Sequence, residues 1–358
     1  MQNKLLISSC TGLGNFIQKT PMIKSLHDYF PNAKIDLIVG GLDNAETVLK
    51  DSKFINDNID CKNNKSIIKK IQFVLEIRKK NYQYIFLPFD DYISIFSKIL
   101  LIILCKSIFV LHYHSLKSFK RYIRIIFFIL CPNVILVPLM SARREIDLNY
   151  DLLQAIIDKP IKRNYETFIQ IYHSDYILKK FNLNKFEYII IQPSSSSRGP
   201  TPKNCSINKI IEICSAIKSN FPDKKILLIG SIIDYDNDIE KLLMKCDFLI
   251  NSIGKTTLNN ISNLMQSALV SIVHDSGALH IGGAVNANMI ALYGPTDSSR
   301  TLPFNKNIRV IKSQNECTNL MFNFRMNEKQ ILKKFPNGYC MDSIKINQII
   351  DEISSFNK

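Results

Sequence analysis

The stretch from His274 to Pro303, HDSGALHIGGAVNANMIALYGPTDSSRTLP, sets two phosphate-ready backbone turns around one short helix. Val270 to Val273 reads as the end of a buried strand. Asp275-Ser276-Gly277 then offers a capping carboxylate, a hydroxyl and a residue free to take positive φ. The helix that follows begins with exposed amides and carries His280 near its first turn. Ile281, Gly282, Gly283 and Ala284 are small or apolar enough for it to lie close against a sheet. Asn288 to Tyr293 reads as the next strand, and Gly294-Pro295-Thr296-Asp297 as the turn at its carboxyl end. Two consecutive strand ends thus aim loops at one crevice, where open α/β sheets bind ligands. A helix N-terminus there favours a phosphate or diphosphate. On spacing alone an ordinary βαβ unit, turning its chain with the same Gly, Ser and Asp, stays open as an alternative.

Near the start, Leu5 to Ser8 reads as a short apolar strand and Thr11-Gly12-Leu13-Gly14-Asn15 as a glycine-rich turn. Phe16 to Phe30 reads as an amphipathic helix interrupted early by Pro21, and Phe30-Pro31-Asn32-Ala33-Lys34 leads into a strand over Ile35 to Val39. This order, together with D-S-G-x-x-H, the small-residue helix and G-P-T-D, resembles glycosyltransferase family 9, the ADP-heptose:lipopolysaccharide heptosyltransferases and their relatives. That family opens on a strand, a G-x-G-D turn, a helix carrying T-P, and F-P-x-A-x-I-D. Here Asn15 stands where the family places the Asp that deprotonates the acceptor hydroxyl. Ser141 to Ala155 resembles the helix that ends the family's first domain. Phe186 to Pro193 reads as a strand, followed by a polar loop from Ser194 to Pro202. Lys203-Asn204-Cys205-Ser206 stands where relatives carry K-x-W-P, matching at Lys203 and departing at Cys205 and Ser206. Lys225 to Gly230 is a strand ending in Gly230-Ser231, like the family's G-G or G-S turn. Between Asp43 and Met140 the resemblance is weak.

A chain of 358 residues with 46% apolar content is sized for two domains, each with a core. Strands alternate with helices in both halves, which predicts an α/β protein of two doubly wound parallel-sheet domains facing each other across a cleft. The resemblance implies GT-B architecture. The boundary is expected where Pro160, Lys162, Arg163 and Asn164 interrupt the apolar pattern. This gives an acceptor-side domain over 1–165 and a nucleotide-sugar domain over 166–358, with the last helix a candidate to pack back on the first domain.

Nine scattered cysteines, an odd count with no C-x-x-C pair and no secretory leader, predict reduced thiols in a cytoplasmic protein. Cys317 and Cys340 fall where some family relatives carry the outer members of a four-cysteine cluster. The inner two are missing, so two ordinary thiols and no metal site are expected. The net charge is +15, and from Cys61 to Arg124 there are 13 Lys or Arg against Glu76, Asp90 and Asp91, a local excess of +10. The same region is greasy, with apolar runs over Ile93 to Leu104 and Tyr122 to Leu130 flanked or interrupted by Lys98, Lys120, Arg121 and Arg124. The uncharged span Ile125 to Ala142 is broken by Pro132, Asn133 and Pro138, which predicts helix, turn and strand instead of a membrane span. A basic helix with an apolar face suits an anionic membrane surface, at the inner face of the membrane; a solvated basic face over a normal core is the alternative.

Transfer from a nucleotide sugar needs a held diphosphate, positive charge against the leaving group, and a base for the incoming hydroxyl. The candidate donor-binding residues are Ser194, Ser195, Lys203, Gly230, Ser231, Asp275, Ser276, Gly277, His280, Gly294 and Thr296. Lys203 is the candidate cation, and Asp275 either caps the helix or grips sugar hydroxyls. Asn15 carries no carboxylate, so the catalytic set of Asn15, Asp90 and Asp91 leaves the base to one of the two aspartates that follow the strand Tyr84 to Leu87. His112 and His114, on the next strand end, are weaker candidates. No cofactor or metal is called for. The resemblance implies an inverting transferase moving heptose from ADP-heptose onto a lipopolysaccharide core or related glycan, and Asn15 keeps a catalytically impaired sugar-nucleotide binder as the alternative. A nucleic-acid partner is not expected, because the aromatics sit in apolar runs and form no stacking platform. Gly12-Leu13-Gly14 lacks the third glycine of a dinucleotide fingerprint, where Ile17 stands.

Overall fold

Short β-branched and leucine-rich runs bounded by turns form two six-stranded parallel sheets. The computed structural model describes residues 3–40, 45–61, 66–113, 119–140, 143–195, 200–321 and 326–357. Two compact units emerge, Met1–Tyr165 and Glu166–Lys358. The first unit holds β1 (Lys4–Ser8), β2 (Lys34–Val39), β3 (Asp57–Asp60), β4 (Tyr84–Leu87), β5 (Ile108–Tyr113) and β6 (Val134–Pro138), ordered β3-β2-β1-β4-β5-β6. The second holds β7 (Tyr188–Ile191), β8 (Lys225–Leu228), β9 (Leu249–Asn251), β10 (Val270–His274), β11 (Met289–Tyr293) and β12 (Ile308–Lys312), ordered β12-β11-β10-β7-β8-β9. Strands buried on both faces must be apolar throughout. Leu5-Leu6-Ile7 and Ile189-Ile190-Ile191 meet that demand, each nearly free of solvent contact. In each sheet the winding direction reverses once, between β1 and β4 and between β7 and β10, which creates the crevice where such sheets receive ligands.

The region after β1 departs from the sequence reading. Two helices, Leu13–Ile17 and Thr20–Tyr29, replace the single one expected over Phe16 to Phe30, and Asn15 lies inside the first of them, not in a turn. Pro21 sits in the first turn of the second helix, where its missing N–H has no partner to lose. The uncharged span after Ile125 resolves into the end of the helix Phe119–Leu130, a turn and β6, and Asn133 secures the turn by donating to the carbonyls of Ile102 and Ser107. No helix among the described residues is long and apolar enough to cross a membrane.

In the second unit the last helix, Ile346–Phe356, lays Ile349 and Ile353 into the same core as Ile213 and Ile217 of the helix Ile207–Asn220. A smaller cluster of Cys317, Ile331, Phe335 and Cys340 lies beside it. There the expectation of two ordinary thiols fails: Cys317 and Cys340 form a disulfide, their Cα atoms 5.2 Å apart. The helices Glu328–Lys334 and Tyr339–Asp342 fold the intervening chain back on itself. That fold-back is tertiary, and cysteine spacing alone does not encode it.

Candidate active site

Four neighbouring strands of the second unit, β11, β10, β7 and β8, end on the same edge of the sheet. Register pairs His274 with Leu292, Ile272 with Ile191, and Ile191 with Leu228. The loops singled out in the sequence, at Gly294, Asp275, Ser194 and Gly230, are therefore carried on adjacent strand ends.

The helix Gly277–Ala284 begins without a side-chain cap. Its N-cap residue Ser276 is extended, at φ −152°, and its hydroxyl donates instead to Gln192 Oε1 at 2.8 Å, across the switch point to the loop after β7. The expected cap from Asp275 is absent, and Gly277 does not take positive φ. First-turn amides with no side chain bonded to them are a ready anion site. The helix lies close to its neighbours because it must: a Cβ on Gly282 would sit 2.2 Å from Met289 Sδ, and one on Gly283 would sit 2.4 Å from Pro303 Cβ.

His274 and His280 are both buried, and burial pushes each imidazole down to about 4. The Lys203 charge acts in the same direction on both, while Asp275 opposes it at His280. Both rings are therefore neutral near pH 7. His274 Nε2 accepts from the Cys205 amide at 3.3 Å, which fixes the Lys203 loop against the end of β10. Lys203 Nζ lies 3.8 Å from Glu328 Oε1 and keeps about a quarter of its side chain exposed, 23%. Asn204 accepts from the Ser195 amide at 2.8 Å and also from its hydroxyl, and donates to Ser194 Oγ at 3.2 Å. Ser194 and Ser195 are thus tied to the loop that carries Lys203, while Ser196 and Ser197 lie outside the described residues.

After Gly230, Ser231 and Asp234 close a capping box. Ser231 Oγ accepts from the Ile233 amide and Asp234 accepts from the Ser231 amide at 2.7 Å, so that amide is already engaged. In the Gly294 turn, Asp297 caps the short helix Ser298–Thr301 through the Ser299 amide. Thr296 Oγ1 is buried with no hydrogen-bond partner among the described residues. Gly294 itself is a packing requirement, since a Cβ there would meet Met341 Sδ at 2.4 Å and the Cys340 carbonyl at 2.7 Å.

In the first unit the reversal between β1 and β4 gathers a buried charge pair. Lys19 Nζ contacts Asp90 Oδ2 at 2.7 Å, and Thr11 Oγ1 donates to the same oxygen at 2.9 Å. Lys19 is wholly buried, 0% exposed, and Asp90 Oδ1 is buried without a partner among the described residues. Asp91 turns the other way. Its side chain is entirely enclosed, bonded to Lys98 at 2.9 Å and to the Ile93 amide at 3.0 Å, and burial pushes its carboxyl up against the opposing pull of Lys98. Asn15 is half-buried in the first turn of Leu13–Ile17. His112 packs edge-on against Phe89 and lines, with Lys98, Ile125 and Phe128, a cavity of about 220 Å³. His114 lies outside the described residues.

Sequence reasoning missed Lys19, Thr11, Lys98, Gln192 and His274. For the first, the sequence offered only a lysine two residues before Pro21, which the structure places at the junction of two helices. The others depend on which strand ends the topology makes neighbours.

The model of glycosyltransferase family 9 (heptosyltransferase) matches residues 143–329, just over half of the chain. A lipooligosaccharide heptosyltransferase 2 of Haemophilus influenzae is 39% identical over 66 residues, 18% of this chain and 19% of the relative. A lipopolysaccharide heptosyltransferase 2 of Escherichia coli is 34% identical over 62 residues, 17% of this chain and 18% of the relative. The chain therefore spans less than a fifth of the length of these curated relatives in direct alignment. Among solved structures, a family 9 glycosyl transferase of Veillonella parvula superposes with a TM-score of 0.73 at 16% identity, covering 99% of this chain and 97% of that one. The ADP-heptose lipopolysaccharide heptosyltransferase II of E. coli superposes at 0.66 with 17% identity, covering 99% and 98%. These likenesses establish the GT-B fold class.

Proposed function

The chain belongs to glycosyltransferase family 9, and from that premise we propose that it is an inverting transferase moving heptose from ADP-heptose onto a lipopolysaccharide core or a related glycan. The observation that carries the donor half is the uncapped start of Gly277–Ala284, with Ser276 turned aside to Gln192. In this reading the free amides hold the diphosphate, Thr296 adds a hydroxyl, and Lys203 offsets the charge that grows on the leaving group. Asp275, which does not cap the helix, is left to grip sugar hydroxyls. The neutral His280 beneath it acts as a buried prop and not as an acid.

The acceptor half is assigned to the first unit, with Asp90 as the base. Its Oδ2 is fixed by Lys19 and Thr11, which leaves Oδ1 to take the proton of the acceptor hydroxyl while the acceptor oxygen bonds to the anomeric carbon and the diphosphate departs with the electron pair. Asp91 is unsuited, being enclosed and bound to Lys98. Apolar side chains exposed on two helices support contact with an anionic membrane at its cytoplasmic face: Ile67, Ile68 and Ile71 of Ile67–Lys80 and Ile123 of Phe119–Leu130 lie within the basic region, and Ile126, Ile129 and Leu130 directly follow it. A catalytically impaired sugar-nucleotide binder is the second reading, favoured by Asn15.

Thermal stability measured against a panel of nucleotide sugars tests the donor assignment, since a ligand bound only to the folded state raises the melting temperature. ADP-heptose is expected to stabilise the wild type and to stabilise Lys203→Ala much less. Equal shifts in the two proteins would remove Lys203 from the site.

A further inference from the structure

β1 and β3 are not neighbours; β2 lies between them. Yet two cysteines at their carboxyl ends meet. Cys10 follows β1 by two residues and is buried, and Cys61 directly follows β3 and is half-buried. The reason is local: β2 stops at Val39 and its chain leaves through Gly40 at φ 111°, a left-handed conformation that suits glycine. The Cys61 amide still donates to the Val39 carbonyl at 2.8 Å, and the Ser9 amide to the Ile38 carbonyl at 2.8 Å, so both neighbours are held in register up to that point. Beyond it the two thiols face each other, Cys61 Sγ donating to Cys10 Sγ at 3.0 Å.

We propose that Cys10 and Cys61 are a modification site, an oxidisable thiol pair that closes to a disulfide when a peroxide reaches it. The sulfurs need to approach by only about 1 Å to reach bonding distance. The hydrogen bond from Cys61 holds the Cys10 thiol below its ordinary value, while the same bond pushes Cys61 up, so Cys10 is the nucleophile of the pair. Its sulfur attacks one peroxide oxygen, the O–O bond breaks, and water leaves once the second oxygen is protonated. The resulting sulfenic acid is attacked by Cys61 sulfur, which loses its proton as the S–O bond breaks and a second water departs. Two thiols are oxidised by two electrons and one peroxide is reduced to two waters.

The position gives the bridge a consequence. Cys10 immediately precedes Thr11, whose hydroxyl holds Asp90, and the Cys10 carbonyl accepts from the Tyr92 amide at 2.8 Å. A covalent tie at Cys10 thus restrains the segment from Thr11 to Phe16 and the loop that carries Asp90. This inference is independent of the transferase reading, because its readout is chemical.

The test treats the reduced, folded protein with hydrogen peroxide, blocks remaining thiols, and maps cross-linked peptides by mass spectrometry without reductant. The expected result is a Cys10–Cys61 peptide pair that disappears with dithiothreitol. In Cys61→Ser, dimedone is expected to trap a sulfenic acid on Cys10. Full alkylation of both thiols after peroxide, or pairing of either with a different cysteine, overturns the proposal. Amide hydrogen exchange over Thr11 to Phe16 is expected to slow in the oxidised protein, and unchanged exchange overturns the link to that segment.

Discussion

Lys19 and Asp90 hold each other where almost no water reaches, and a buried pair is worth most when one member is removed. Lys19→Met leaves a buried carboxylate uncompensated and is expected to cost about 3 to 5 kcal/mol in urea unfolding, with part of that loss recovered when Asp90→Asn is added. No recovery in the double variant would mean that the pair is not the source of the cost. The same aspartate carries the base assignment. With donor and acceptor supplied, Asp90→Asn is expected to lower kcat by about 10²- to 10⁴-fold, and Asn15→Asp to leave transfer intact. Activity that survives Asp90→Asn but appears or rises with Asn15→Asp would return the base to the position the family uses. The candidate residues Asp90 and Asp91 were legible in the sequence as a pair of acids after a strand, but their division of labour was not. One turns to Lys19 and the other to Lys98, and only the packing of the helices Thr20–Tyr29 and Ile95–Leu104 decides that.

The helix Gly277–Ala284 shows what can and cannot be read at the level of an element. Its place after β10 and its run of small residues were evident from composition, and its glycines serve close approach as expected. Gly283→Ala puts a Cβ against Pro303 and is expected to destabilise by roughly 1 to 3 kcal/mol, read as a lower denaturation midpoint with an unchanged slope. How the helix begins was legible only in part: its exposed amides were expected, but Asp275 and Ser276 both satisfy the statistics of a cap, and the contact that draws Ser276 aside is to Gln192 in the loop after β7. The two histidines flanking that start make it sensitive to acid. Unfolded, each imidazole takes up a proton near 6.5; folded, only near 4. Between those values the unfolded chain binds more protons, so stability is full above pH 6.5 and falls as the pH drops toward 4, by up to about 3 kcal/mol for each ring. Denaturation midpoints across that range check the sign, and His280→Gln should flatten part of the slope.

For the whole molecule, the excess of positive charge between Cys61 and Arg124 predicts binding to vesicles that contain anionic lipid, weakened by added salt and by reversing Lys120, Arg121 and Arg124. Equal sedimentation with neutral and anionic vesicles would set the membrane proposal aside. The alternation of strands and helices announced two parallel sheets, whereas the disulfide between Cys317 and Cys340 was invisible, since it joins positions made neighbours only by a fold-back of the chain. Among the described residues each sheet is assembled from one stretch of sequence, six strands before Tyr165 and six after it, with no strand exchanged between them. A ribosome therefore releases every strand of the first sheet before the first strand of the second is made, so its nucleus can form while the remainder is still being synthesised. Pulse proteolysis of stalled nascent chains should reveal a protected amino-terminal fragment well before synthesis ends.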